Sequence, residues 1–293
     1  MSAPYKVLLG IDMETDVGSF SNDYRGVAEG TPLLLDMLDR RGVATTFYFT
    51  GDAAVRNTEI VRLVQSLGHE VGTHSLFHET VGDEFVQSFG TRPILPEEIP
   101  IRIGKCTEWV ADITGMKPKS FRSPRLCGST NVVNELERLG YETDASYPMY
   151  FYRNQFFPYH PHKDDWLETG EMKILEIPNF CDMLMTSSDP ELERDRDPWH
   201  VYRVFGAEAH YAFIENFLAF TKDMGQQPVI SLYLHPWEFV EMPHKIPTSE
   251  GTVILEPFIV TNTGDVALKE LDALIGIMQS DGALFCKAED LIL

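Results

Sequence analysis

His74 and His78 stand four positions apart, close behind Gly68-His69-Glu70-Val71-Gly72-Thr73. On one turn of helix, that spacing puts both imidazoles on one face, where they can reach a single metal ion. Imidazole suits zinc and its first-row neighbours, and a hydrolytic metal needs a third protein ligand plus an open position. The same spacing fits a surface helix with two solvated histidines, so the reading depends on the company the pair keeps. Asp12 and Glu14 lie at the end of an apolar run, Tyr5 to Ile11, that reads as a buried strand. Two apart in an extended chain, they point the same way and repel unless a cation or a proton lies between them. Carboxylates in a solvated turn, with Asp16 and Asp23, are the alternative. A second apolar strand, Val229 to Leu234, runs straight into His235 and is stopped by Pro236, which cannot donate to a sheet ladder. The C-terminal end of such a strand is where α/β barrels carry catalytic groups, although a lone histidine there also serves as a hydrogen-bonded core residue. Ser120-Phe121-Arg122-Ser123-Pro124 adds an arginine to the set.

The elements that must position these groups alternate. Thr31 to Arg41 reads as a helix, with Thr31 as N-cap, Pro32 in the first turn and Gly42 past the end. A strand follows at 44–50, then a helix from Ala53 to Leu67 ending at Gly68, and a short strand leading into the histidine pair. A helix starting near Pro96 runs to Thr114 and stops at Gly115. Strand 120–122, helix 131–139, strand 141–144, helix 207–224, the His235 strand, helix 265–279 and strand 283–286 complete the series. Alternation of this kind predicts a parallel barrel with right-handed crossovers.

A chain of 293 residues with 43% hydrophobic content can bury one large core, and no repeat or linker divides it, so 1–293 reads as a single catalytic domain. The net charge of −21 argues against nucleic acid, acidic polymers and anionic membranes as partners. The N-terminus lacks the pattern of a signal peptide, and its apolar run is too short to span a bilayer. Cys106, Cys127, Cys181 and Cys286 are scattered and read as reduced thiols, so a cytoplasmic location is expected.

Taken together and in order, these segments resemble the polysaccharide deacetylase superfamily, the NodB-homology or carbohydrate esterase 4 group, from about Val7 to Glu238. Asp12 and Glu14 match its first motif, His74 and His78 its His-x-x-x-His motif, and Arg122 to Pro124 its Arg-x-Pro motif. Leu234 and His235 match its last motif, and Asp144 its intervening Asp motif. The wording of 234–238 is similar to exopolysaccharide-locus members and to the intracellular, allantoinase-like and Helicobacter-type peptidoglycan deacetylase branch. Most members open with adjacent carboxylates, whereas here Met13 separates them, and the Asp144 segment lacks the tryptophan that many sugar-acting members carry.

The resemblance implies a distorted (β/α)7 barrel and a single divalent metal, zinc by ligand type, held by Glu14, His74 and His78. It implies Asp12 as general base oriented by Arg122, and His235 as general acid with Asp144 raising its pKa. Pro124, Tyr147 and Trp237 are expected to meet the substrate. The implied reaction is hydrolysis of a C–N amide bond in an N-acetylated sugar, oligosaccharide or related small N-acyl compound. Two other readings remain open: a cyclic amide or ureide hydrolase using the same groups, and a non-catalytic carbohydrate-binding relic. Intracellular relatives are often homo-oligomers, but no assembly interface is legible. Two stretches fit no plain barrel element and are expected to act as binding loops: 151–170, with His160 and His162, and 186–198. Trp166, Trp199 and Trp237 could stack on a substrate ring or simply pack.

Overall fold

Strand β1, Lys6–Met13, is buried along nearly its whole length, as its unbroken apolar run requires of a strand covered on both faces. The computed structural model describes residues 4–83 and 92–292. Around β1 the parallel strands β2 (Thr46–Phe49), β3 (Glu70–Thr73), β4 (Ser120–Phe121), β5 (Thr143–Asp144) and β6 (Leu175–Glu176) follow in chain order on one side. Strand β7, Val229–Leu234, pairs with β1 on the other side, giving seven strands in a curled parallel sheet. An eighth, β8 (Leu284–Phe285), pairs only with Lys6 and Val7, while Gly10 to Met13 pair with β2. This is the expected distorted barrel, with two-residue strands at β4, β5 and β6 and a seam between β6 and β7. At the seam one backbone hydrogen bond, Phe180 N to Ser231 O at 3.1 Å, joins the two sides.

Helices cover the outside. Helix α1 spans Thr31–Arg41 and ends on Gly42 with φ 64°, the left-handed cap its glycine permits. Thr31 lies inside this helix rather than capping it, because a π-helical turn at Gly26–Gly30 runs directly into it. The single helix expected over 53–67 is two, Gly51–Arg56 and Thr58–Ser66, broken at Asn57. Helices Ile99–Thr114, Thr130–Leu139, Ala207–Thr221 and Asp265–Ser280 agree with the sequence to within a few residues. The main core lies between these helices and the sheet. A satellite cluster of Val17, Trp237, Val240, Met242, Ile246, Leu255 and Val260 sits where the chain leaves β7. There a 3-10 turn, Pro236–Phe239, is followed by a hairpin, Lys245–Thr248 with Gly251–Ile254, and a short helix, Pro257–Val260.

Candidate metal centre and active site

The C-terminal ends of β1, β3 and β7 deliver Glu14, His74 and His235 to the mouth of the barrel, beside a cavity of about 750 Å³. His74 leaves β3 with its backbone N–H bonded to Phe49 O (2.7 Å) and its Nδ1 against Arg122 O (2.7 Å), so Nε2 is the nitrogen turned to Glu14. The four residues after it form a turn rather than a helix, with Ser75 at φ 64° and His78 at φ 59°. The histidine pair therefore meets through a reversal of the loop, not through helical periodicity, and its ring centroids are 5.2 Å apart. Left-handed backbone at non-glycine residues costs energy and gathers where a site needs it.

Glu14 Oε2 lies 2.5 Å from His78 Nε2 and 3.5 Å from His74 Nε2, and the three side chains offer ligand atoms within 4.8 Å of one another. Both Glu14 and His74 are buried. Burial works against ionisation of Glu14, yet the neighbouring imidazoles, His78 foremost, hold its pKa well below the usual carboxylate range. Burial pushes His78 below its ordinary value in spite of Glu14. Apart from these two imidazoles, Glu14 Oε2 has no hydrogen-bond partner among the described residues. Two imidazoles converging on a buried carboxylate held in its ionised form fit a divalent cation with nitrogen and oxygen ligands.

Asp12 is fixed by Arg122, whose Nη1 donates to Asp12 Oδ1 at 2.9 Å, both groups being buried. The guanidinium also donates to Ala145 O (3.1 Å), Asn179 Oδ1 (3.3 Å) and Leu232 O (3.4 Å), and lies 4.6 Å over the Tyr48 ring. It crosses β1 at Gly10, where a Cβ would lie 2.1 Å from Nη1. That close approach explains a glycine in the middle of an otherwise apolar strand.

His235 is held from behind by Glu238. Its Nδ1 donates to Glu238 Oε1 at 3.0 Å, and its Nε2 is 3.9 Å from Glu14 Oε1. The same Oε1 accepts His235 N–H (2.9 Å) and Trp199 Nε1–H (3.0 Å), while Oε2 accepts Arg203 Nε–H (2.8 Å) and Tyr202 O–H (3.0 Å). Burial favours the neutral acid, but these donors, His235 first, bring the Glu238 pKa down to about 2. Burial would lower the His235 pKa; the Glu238 hydrogen bond, followed by the charges of Glu14, Glu238 and Asp12, outweighs it and raises the pKa.

Asp144 is therefore not the partner of His235. It is fully buried, and its Oδ1 accepts the Ser146 hydroxyl. Beside it, Glu176 accepts Ser146 N–H (2.9 Å) and Tyr147 N–H (2.8 Å). Burial lifts the Asp144 pKa to about 7 and, together with the Asp144 charge, lifts Glu176 well above its usual range. Apart from each other, Asp144 Oδ2 and Glu176 Oε2 have no hydrogen-bond partner among the described residues, the arrangement of two buried carboxyl groups that share a proton. The motif Asp-x-Ser at 144–146 signalled a polar site, but nothing in its spacing distinguished a buried carboxylate pair from a histidine's partner.

Trp237 lines the cavity and stacks on His235, centroids 5.1 Å apart at 22°. Pro124 and Tyr147 do not line it. Pro124 is buried at the start of a 3-10 turn whose Arg125 and Leu126 face the cavity instead. Tyr147 is buried among Tyr152, Tyr159 and Trp166. In the 151–170 stretch His160 Nδ1 bonds Ile174 O (3.0 Å), His162 is exposed, and neither lines the cavity. The 186–198 stretch does reach it, through Arg194, Asp195 and Asp197, and Trp199 follows directly. Glu238, three residues after His235, had a signal in the sequence: a Pro at the first position and a carboxylate at the third are the pattern of a turn that folds back on its own start.

A parallel (β/α) barrel with a buried two-histidine, one-carboxylate cluster at its C-terminal mouth is the class that fold and site define. Residues 16–143 of the chain match the model of the polysaccharide deacetylase family. That match takes in His74, His78 and Arg122 and leaves out Asp12, Glu14, Asp144 and His235. The chain is 29% identical over 126 residues to the peptidoglycan-N-acetylmuramic acid deacetylase PdaA of Bacillus subtilis, a stretch covering 43% of this chain and 43% of that protein. Among solved structures it resembles a probable polysaccharide deacetylase from Pseudomonas aeruginosa PAO1, with TM-score 0.64 and 16% identity over 98% of this chain and 89% of that one. It also resembles a putative polysaccharide deacetylase from Mycobacterium smegmatis, with TM-score 0.61 and 15% identity over 100% of this chain and 94% of that one. Among the described residues, no helix is long and apolar enough to cross a membrane.

Proposed function

We propose that this protein hydrolyses the amide bond of an N-acetylated sugar, using one divalent metal ion held by Glu14, His74 and His78. The observation that carries the reading is the grouping of that cluster with two oriented acid–base groups, Asp12 on Arg122 and His235 on Glu238, at one cavity. The relatives named for deacetylation of N-acetylated sugars supply the substrate class. Imidazole and carboxylate ligands favour zinc. When bound, such an ion would supply a water of lowered pKa and polarisation of the amide carbonyl.

Asp12 takes the proton of the attacking water, because Arg122, permanently charged, holds and aims its carboxylate. His235 gives a proton from Nε2 to the departing nitrogen, since an amine leaves poorly as an anion. Glu238 fixes the tautomer by receiving Nδ1–H, the role that a carboxylate plays behind many catalytic histidines. Trp237, stacked on His235, and Trp199 offer apolar faces to a sugar ring. Three of the four cysteines, Cys106, Cys127 and Cys181, are buried, in keeping with structural thiols of a reducing compartment.

Metal content measured by mass spectrometry on wild type beside a His74→Ala, His78→Ala double variant, with acetate release from chitooligosaccharides, tests the reading. About one ion per chain in wild type, its loss in the double variant, and acetate release from wild type alone are expected. Wild type that stays metal-free after dialysis against zinc would overturn it.

A further inference from the structure

The cavity of this strongly acidic chain carries an oriented cation at its rim. Arg194, on the 186–198 loop, lines the cavity with its side chain about half exposed (49%). Its guanidinium is held from both sides. Nη1 donates to Tyr150 O–H (2.5 Å), Nη2 donates to Tyr233 O–H (3.2 Å), and its carbon lies 5.1 Å over the Tyr150 ring. Tyr233 in turn donates to Asp197 Oδ2 at 2.5 Å, and Trp199 N–H donates to Asp197 Oδ1 at 3.1 Å. Asp197 is thus occupied, and it reaches Arg194 only at 3.6 Å. The other acid of this loop that lines the cavity, Asp195, turns its two oxygens to Ser187 and Ser188. Of the five N–H donors of a guanidinium, two have hydrogen-bond acceptors here. On a side chain about half exposed, the others are left for a ligand, and a planar guanidinium is matched to a carboxylate or phosphate.

Tyr233 carries the connection to the reaction centre. It stacks on Trp199 (6.2 Å, 15°), and its ring lies 5.9 Å from that of His235. Glu14, His74, His235 and Arg194 line the same cavity as these two rings. A net charge of −21 repels anions at long range. A clamped arginine at the site then has use as a local, short-range selector rather than as part of a general basic surface.

We infer that Arg194 binds an anionic group on the substrate, so that the preferred compound is an N-acylated sugar bearing a carboxylate or phosphate rather than a neutral one. The inference rests on the deacetylase reading, and its test separates the two. Zinc-loaded wild type, Arg194→Gln and Arg194→Lys are assayed for acetate release from N-acetylglucosamine, N-acetylmuramic acid and N-acetylglucosamine 1-phosphate. Binding of the same three compounds is followed by tryptophan fluorescence, and folding is checked by thermal melting. Wild type is expected to favour one anionic compound over the neutral sugar by about tenfold or more in kcat/KM, mainly through KM. The anion it favours identifies carboxylate or phosphate. The preference should vanish in Arg194→Gln and return in part in Arg194→Lys. Equal use of neutral and anionic sugars by wild type, or an unchanged preference in a folded Arg194→Gln, would overturn the inference. No acetate from any compound would overturn the deacetylase reading instead. Binding then decides the arginine's role: tighter binding of an anionic sugar to wild type than to Arg194→Gln supports it, and equal binding refutes it.

Discussion

At the residue scale, the site is a set of carboxylates whose neighbours give them different tasks. Glu14 faces two imidazoles, Asp12 an arginine, Glu238 a histidine and an arginine, and Asp144 another carboxylate. Glu238→Gln removes the charge that keeps the His235 pKa raised, so the pKa falls. The alkaline limb of the kcat/KM profile, set by loss of the acid's proton, is then expected to move toward lower pH by about one unit. An unmoved limb would mean that His235 is not the acid. Asp144→Asn has a different signature. The folded-state pKa of Asp144, about 7, lies above its unfolded value, so its stability contribution is lost as pH rises through that range. The amide carries no such penalty and can still accept the Ser146 hydroxyl. Thermal melts should show Asp144→Asn gaining on wild type at pH 8 and not at pH 4, with about 2–4 °C per kcal/mol in a chain of this size. The residue types were legible in the sequence; the pairing was not. Asp144 and Glu238 are equally plain carboxylates there, and only the turn at Pro236–Phe239 decides which one meets His235.

At the scale of elements, most of the fold follows from local patterns. The apolar runs of β1 and β7 and the Gly42 and Gly115 helix stops are written in the sequence and appear where expected. Boundaries failed where a neighbouring element intervened, as when the π-helical turn at Gly26–Gly30 displaced Thr31 from the cap. The segment after His74 failed for another reason. Its histidine spacing is helical, but two left-handed residues bend it into a loop that achieves the same convergence. Gly10 offers an element-scale test. A methyl group there would collide with the Arg122 guanidinium, so Gly10→Ala should cost about 1–3 kcal/mol and displace Arg122 from Asp12. Deacetylation should then fall more steeply than zinc content, since the metal ligands lie elsewhere on the rim. Equal loss of both would point to general collapse of the barrel mouth.

At the scale of the whole molecule, the barrel places a buried negative charge at the convergence of its strands. Any cation bound there in the folded state alone raises stability by mass action, about 2.7 kcal/mol at a free concentration roughly 100 times Kd. Melting temperature should therefore rise with zinc, fall on chelation, and stop responding in the His74→Ala, His78→Ala double variant. A zinc response that survives in that variant would locate the binding elsewhere. The family match ends at residue 143, and the later cavity wall, formed by the 186–198 loop, the turn after β7 and the helix Pro257–Val260, lies beyond it. That wall is built from loops, whose side chains no periodicity announces. Arg203 secures it by donating to Phe258 O, Ile259 O and Thr261 O while holding Glu238.

The seam of the sheet bears on how relatives are to be compared. Arg122 reaches across it to Asn179 and Leu232, and Asn179 also takes the Ser231 hydroxyl and donates to Ala145 O. One guanidinium thus serves as a clasp on an otherwise loosely joined barrel as well as the orienting group for Asp12. A descendant that abandoned chemistry would still be under selection to keep it. Retention of this arginine in a relative is accordingly poor testimony to activity, whereas Glu14, His74 and His78, which take no part in the clasp, are the positions to compare instead.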